Sequence, residues 1–152
     1  MSNKTKVLMV CLGNICRSPL AHGILEQKLD ANLYTIDSAG TGAFHIGKQP
    51  DVRSITVAKK YGLDISNQRA QQFKARYFEE FDYIFVMDSS NYKNVIALAS
   101  SENERKKVAL ILNEITPDLN NEVPDPYYGG DQGFENVYQM LEKACVSIAK
   151  RI

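Results

Sequence analysis

Short apolar runs alternate along this chain with stretches whose apolar residues recur every three or four positions. Val7 to Val10 is continuously apolar, the pattern of a strand buried on both faces of a parallel sheet. Leu20 and Ile24, with Ala21, Leu25 and Leu29, supply a helical stripe directly afterwards. Pro19 suits the first turn of that helix, where its missing N–H costs nothing. Tyr34-Thr35-Ile36-Asp37 alternates apolar and polar and predicts a second strand. A glycine-rich loop, AGTGAFHIGKQP, separates it from a helix predicted from about Asp51 to Tyr61, with Gly62 as its stop. Tyr83 to Met87 reads as a third strand and Val108 to Leu112 as a fourth. Between these two, Ser89 or Ser90 is expected to cap a helix carrying Tyr92, Val95, Ile96 and Ala99. Phe134, Val137, Leu141, Ala144 and Ile148 fall on one face of a last helix. Cys145 sits beside that stripe as packing material.

This order predicts an α/β fold: an open four-stranded parallel sheet flanked by helices on both faces, with a phosphate-binding loop between the first strand and the first helix. Such sheets place ligands at the carboxyl ends of their strands, near a reversal in strand order, and Cys11 stands at the carboxyl end of the first. With 152 residues and no repeat or linker, one domain spanning 1–152 is expected. Hydrophobic residues make up 44% and charged residues 24%, as in soluble globular proteins. Eighteen basic residues balance eighteen acidic ones, which argues against nucleic acid or an anionic membrane as a partner. The apolar run near the N-terminus is too short for a signal peptide and lacks its cleavage site. No stretch approaches the ~18 apolar residues of a membrane span. Three cysteines, Cys11, Cys16 and Cys145, are poor material for a disulfide framework and fit a reducing compartment. A cytoplasmic chain, monomeric or weakly homo-oligomeric, is the expectation.

The chemistry concentrates in LMVCLGNICRSPLA, Leu8 to Ala21. Five residues, Leu12, Gly13, Asn14, Ile15 and Cys16, lie between Cys11 and Arg17. A loop of this length closing onto a helix start can turn its N–H groups inward. The residues from Leu12 to Ser18 then bind a tetrahedral oxyanion, helped by the helix dipole. Gly13 is expected to supply unusual dihedrals, and asparagine also tolerates a positive φ. Arg17 adds a planar fork able to grip two oxygens. The same field favours thiolate over thiol at Cys11, and Ser18 is placed to hydrogen-bond the sulfur. A thiolate beneath a phosphate suggests displacement at phosphorus through a cysteinyl-phosphate, which needs a proton donor and then a base. Asp125, between Pro124 and Pro126 in VPDPYYGG, is the best candidate, and Tyr127 and Tyr128 offer flat faces to an aryl group. Cys16 is either a small core filler or a partner for a reversible disulfide with Cys11.

VCLGNICRSP together with the distant DPYYG resembles the low-molecular-weight protein tyrosine phosphatase family. The likeness extends to length, to DSAGT (Asp37 to Thr41) and to FDYIFVMD (Phe81 to Asp88). It implies a phosphatase acting on phosphotyrosine proteins and small aryl phosphates, with Cys11 as nucleophile, Arg17 as phosphate and transition-state clamp, and Asp125 as general acid then base. Ser18 would assist the thiolate, while Asn14 and Ser38 keep the loop in shape. Leu12, Ile15, Phe44, Tyr127 and Tyr128 would wall the substrate ring. No metal or other cofactor is implied, since the cradle neutralises the phosphate. Many members carry a histidine near Asn67-Gln68 to support the loop asparagine, so here that support is expected to be an amide or absent. Phe44 stands where relatives often have tyrosine.

Other chemistries fit less well. A thioredoxin-coupled arsenate reductase shares the loop and fold but needs further relay cysteines, and only Cys145 remains. A non-catalytic phosphotyrosine binder is expected to lack nucleophile, arginine or acid. Zinc would need well-spaced ligands, and Cys11, Cys16 and His22 have only Cys145 and His45 to join them. His22 therefore reads as helix surface or packing and His45 as an ordinary loop residue. Neither G-x-S-x-G nor a nucleotide-binding glycine motif occurs.

Overall fold

The computed structural model describes residues 3–128 and 130–152. β1 (Thr5–Cys11) leads through a loop to α1 (Arg17–Lys28), followed by β2 (Tyr34–Gly40), α2 (Val52–Lys60) and α3 (Tyr77–Glu80). Then come β3 (Tyr83–Val86), α4 (Ser89–Ile96), α5 (Glu102–Arg105), β4 (Val108–Leu110), a 3-10 turn (Ile111–Glu114) and α6 (Gly130–Arg151). All pairings are parallel, and the sheet order is β2-β1-β3-β4. The strand order reverses beside β1, so a crevice opens at the carboxyl end of that strand.

Successive side chains of a strand point to opposite faces, and β1 uses both. Val7 and Met9 pack with α1, α2 and α6 on one face, while Leu8 and Val10 pack with α3 and α4 on the other. The continuous apolar run thus records a central strand covered on both sides. On α6, Phe134, Val137, Leu141, Ala144 and Ile148 are all buried, and Cys145 is buried with them.

Several boundaries differ from the sequence reading, with β3 ending at Val86 rather than at Met87. β2 continues to Gly40 because Ser38, Ala39 and Gly40 stay in register with Met9, Val10 and Cys11. β4 ends at Leu110, and Ile111 and Leu112 turn instead into the core on the α6 side. A buried apolar run does not distinguish these two outcomes by periodicity. The cap of α4 is Asp88, whose Oδ1 accepts from the Asn91 N–H at 2.8 Å, rather than Ser89 or Ser90. Gly62, with φ of 83°, stops α2 as expected. In the basic ERKKV segment (Glu104 to Val108), Lys107 Nζ donates to the carbonyls of Phe78 within α3 and Phe81 just after it. No described helix is long and apolar enough to cross a membrane.

α2 meets α6 through a polar seam. The Glu135 carboxylate accepts from Lys60 Nζ at 2.6 Å, Tyr61 Oη at 2.5 Å and Gln139 Nε2 at 2.8 Å. Tyr61 also stacks on Tyr138 with centroids 4.3 Å apart. Lys60, then Tyr61 and Gln139, hold the Glu135 pKa down at about 2, against an ordinary 4.5. A depressed carboxylate stabilises the fold above its unfolded pKa, and the contribution is lost as pH falls through the folded value. Glu135→Gln is therefore expected to melt below the parent protein at neutral pH. The gap should close as the pH falls from 4.5 to about 2. Thermal melts across that range check this, and a gap independent of pH would reject it.

Candidate active site

Cys11 ends β1 and Arg17 opens α1, and the connection is held from outside. The Cys11 carbonyl accepts from Thr41 N–H at 2.9 Å and the Leu12 carbonyl from Gly42 N–H at 2.8 Å. On the other side, the Ile15 carbonyl accepts from Asp51 N–H at 2.7 Å and the Cys16 carbonyl from Ser54 Oγ at 3.1 Å. Among the described residues, no backbone N–H from Leu12 to Cys16 donates to a protein acceptor. Carbonyls facing out and amides left free make a cradle for an anion. Gly40 lets β2 approach, since a Cβ there would stand 2.7 Å from the Leu12 carbonyl oxygen. The left-handed residue of the loop is Asn14, with φ of 58°, and not Gly13. The Gly13 position instead gives room to His45, whose Cδ2 would lie 3.0 Å from an added Cβ.

Cys11 Sγ lies 3.0 Å from Ser18 Oγ. Asn14 Nδ2 donates to Ser18 Oγ at 2.8 Å, and Asn14 Oδ1 accepts from Gln71 N–H at 3.0 Å. The asparagine is thus supported by a backbone amide three residues beyond Gln68, while Gln68 itself donates to the Pro19 carbonyl. Gln71 is held in turn: its Nε2 donates to the Ser38 carbonyl at 2.9 Å, and its Oε1 accepts from Tyr77 Oη at 2.8 Å. Ser38 reaches the loop through Gln71 rather than through its own hydroxyl, which meets His22 Nδ1 at 3.2 Å. His22 is therefore half of a buried polar contact, not simple packing.

Arg17 is 2% exposed and its fork is divided. Nη1 donates to Asp88 Oδ2 at 2.7 Å and to the Val123 carbonyl at 2.9 Å. Nη2 lies 3.8 Å from Asp125 Oδ2. Burial works against the charge, but the Cys11 sulfur, Asp88 and Asp125 outweigh it and push the Arg17 pKa up. Cys16 is buried, and that burial, followed by Asp51, Cys11 and Asp125, pushes its thiol pKa well up. Asp125 follows Pro124 on the exposed side of the crevice, with its Oδ1 accepting from Tyr127 N–H at 3.0 Å.

These groups share one cleft of about 410 Å³, lined by Cys11, Leu12, Ile15, Arg17, Asp125 and the aromatic residues Phe44, Tyr127 and Tyr128. Gly13 and Cys16 also line it, while Asn14, Ser18 and Ser38 lie behind it, buried. His45 lines the cleft too, so it is more than a loop residue. Asp88 and Gln71 are site residues that the sequence reading does not name as such. Asp88 had a signal, as an acid just past the strand that neighbours β1. Gln71 acts largely through its backbone, which leaves no residue-type signal.

The family described as low molecular weight phosphotyrosine protein phosphatase matches residues 6–152. A putative low molecular weight protein-tyrosine-phosphatase of Synechocystis is 45% identical over 144 residues, covering 92% of this chain and 91% of that one. A protein tyrosine phosphatase from Entamoeba histolytica, solved with Hepes in its active site, superposes with a TM-score of 0.89 at 38% identity, covering 95% of this chain and 94% of that one. Vibrio vulnificus Wzb in complex with benzylphosphonate superposes with a TM-score of 0.88 at 32% identity, covering 97% and 99%. With its cleft built as described and nearly its whole length matched, the chain belongs to the low molecular weight phosphotyrosine protein phosphatase family and is a protein-tyrosine phosphatase.

Proposed function

We propose that this phosphatase hydrolyses phosphotyrosine and small aryl phosphate monoesters in two steps, with Cys11 as nucleophile, Arg17 as clamp and Asp125 as proton carrier. In the first step the Cys11 thiolate forms a bond to phosphorus in line with the departing ester oxygen. The P–O bond to the aryl ring breaks, and Asp125 gives its proton to the phenolate oxygen. In the second step the Asp125 carboxylate takes a proton from water. The oxygen of that water bonds to phosphorus, and the P–S bond breaks to return the thiolate, steadied by Ser18. Free loop amides and Arg17 Nη2 meet the equatorial oxygens throughout, where charge is greatest.

One observation carries this reading: the Cys11 sulfur, the unanchored edge of Arg17 and the Asp125 carboxyl all face a single cleft. Its walls, Leu12, Ile15, Phe44, Tyr127 and Tyr128, are apolar enough for an aryl ring, and a relative solved with benzylphosphonate supports that fit. The phosphate loop would comprise Leu12 to Ser18, with Asn14, Ser18 and Ser38 as its support. An arsenate reductase is not favoured, because Cys145 is wholly buried in α6 with its sulfur against the Ala21 carbonyl. In this reading the enzyme is one catalytic domain of residues 1–152. It works in the reducing cytoplasm, where the free thiols Cys11, Cys16 and Cys145 persist.

Cys11→Ser is expected to abolish turnover. Asp125→Ala should slow kcat/KM for phosphotyrosine by about 100-fold or more and leave inhibition by inorganic phosphate nearly unchanged. Steady-state kinetics check both, and an Asp125→Ala enzyme of normal speed on phosphotyrosine would reject the acid assignment. Asp88→Ala strands the buried Arg17 without its partner, which should cost about 3 kcal/mol of stability and weaken phosphate inhibition. Urea denaturation together with phosphate titration reads the two effects, and unchanged phosphate affinity would separate Asp88 from the clamp. Peroxide should take two electrons from the Cys11 thiolate to give a sulfenic acid. Cys16 would then condense with it, forming an S–S bond and releasing water. Activity lost to peroxide should therefore return with added thiol in the parent protein and return far less in Cys16→Ser. Equal recovery in the two would discard the protective disulfide.

A further inference from the structure

We propose that Arg53 is a positioning residue for the reaction, setting the Asp125 carboxyl over the cleft by fixing the ring of Tyr127 to the outer wall of the phosphate loop. The inference rests on the reading of Asp125 as general acid.

Arg53 occupies the second position of α2 and does not need to approach the phosphate to act. Its Nε and Nη2 donate to the two oxygens of Asp51, each at 3.0 Å, so the guanidinium plane is set by a two-point contact. Asp51 is itself fixed twice. Its Oδ1 accepts from Arg53 N–H at 2.9 Å as the cap of α2, and its own N–H donates to the Ile15 carbonyl at 2.7 Å. With its edge committed to Asp51, the guanidinium turns its π-face to aromatic rings. Its carbon lies 4.5 Å from the Phe134 ring centroid and 5.3 Å from that of Tyr127. Phe134 is 1% exposed and belongs to the core stripe of α6, so one of the two rings is an immobile reference.

Tyr127 is the other ring, and it belongs to the segment that carries Asp125. Its N–H donates to Asp125 Oδ1 at 3.0 Å. The restraint therefore runs from the Ile15 carbonyl through Asp51 and Arg53 to Tyr127, and from Tyr127 to the carboxyl. The segment's other anchor is Pro126, which is buried beside Gly133 of α6. Among the described residues, backbone pairing of this stretch ends with Val123 N–H on the Met87 carbonyl at 2.9 Å. The Asp125 side chain is 41% exposed, and Arg17 Nη2 stays 3.8 Å away. Pro124 is exposed and only narrows the backbone angles, and Pro126 ties the segment to α6, whereas the Arg53 contact ties it to the phosphate loop. The arrangement ties the acid to the same loop that holds the phosphate, so the two keep their separation when either shifts.

A carboxyl displaced by about 1 Å loses up to roughly 100-fold in rate. That loss appears only where protonation of the departing oxygen matters. Phosphotyrosine has a poor leaving group and p-nitrophenyl phosphate a good one, so the two report differently on the acid. Arg53→Met keeps the aliphatic stem and removes the fork. It is expected to lower kcat/KM for phosphotyrosine at least about tenfold more than for p-nitrophenyl phosphate, with inhibition by inorganic phosphate changed by no more than about twofold. Arg53→Lys, which keeps the charge without the two-point contact, should fall in the same direction and serves if the methionine variant folds poorly. In an Asp125→Ala background, Arg53→Met should add no further discrimination between the two substrates. Equal losses on both substrates, or losses that follow the melting temperature alone, would overturn the role of Arg53. If Asp125→Ala by itself shows no discrimination, the acid assignment fails first and the Arg53 proposal falls with it, an outcome distinct from failure of Arg53 alone.

Discussion

A backbone carbonyl removed from water must find a donor, and the phosphate loop meets that demand from outside itself. Two of the donors come from the end of β2 and its continuation, Thr41 and Gly42, and two from the start of α2, Asp51 and Ser54. Once the carbonyls of Cys11, Leu12, Ile15 and Cys16 are drawn to these flanks, peptide planarity turns the following amides toward the opposite side. The cradle is therefore shaped by its neighbours more than by its own sequence. β2 and α2 act as jaws, and the close fit at Gly40 is the steric condition for one of them.

Arg17 extends the same logic to charge. A guanidinium this deeply buried is costly unless its donors are satisfied, and Asp88 with the Val123 carbonyl satisfies one edge. The other edge remains directed toward the cleft and Asp125. One side chain thus serves two ends, with a structural half that fixes its plane and a chemical half already oriented. Asp88 also caps α4 with its second oxygen, so the residue that aims the arginine is itself held by a helix. A clamp built this way needs little reorganisation when charge develops on a phosphoryl group.

Much of this was legible in the sequence, for identifiable reasons. β1 announced itself because a strand covered on both faces must be apolar without interruption, and α6 because its core stripe follows the helical repeat for five residues. The Cys-to-Arg loop was legible because nucleophile, turn residues and guanidinium are contiguous. Partnerships set by tertiary approach were not. Asp88 is 71 residues from Arg17, and Gln71 is 57 from Asn14. Gln71 contributes a backbone N–H, which every residue but proline possesses. Arg53 carries no signal of its own in the sequence, because its contacts are with Phe134 and Tyr127, which the fold brings over it. Ile111 and Leu112 misled for a simpler reason, since burial alone made them resemble a strand.

The support behind the loop has a consequence for how the site behaves as protons come and go. Asn14 is held by the Gln71 N–H and by Ser18, and Gln71 by the Ser38 carbonyl and Tyr77. Neither a backbone amide nor a carboxamide ionises near neutral pH, whereas an imidazole in the same place would change charge there. Of the two histidines, His22 meets the Ser38 hydroxyl and, at 3.4 Å, Glu26, and so stands one step removed from Asn14, while His45 lies beside Gly13 in the cleft lining. The left-handed turn at Asn14 is consequently kept by groups of fixed protonation. The group that changes protonation in the proposed reaction, the Asp125 carboxyl, lies on the cleft side of the loop. Ser18 joins support to chemistry, since its hydroxyl meets both the Cys11 sulfur and Asn14 Nδ2, while the carboxyl exchanges protons from across the cleft without loosening the cradle.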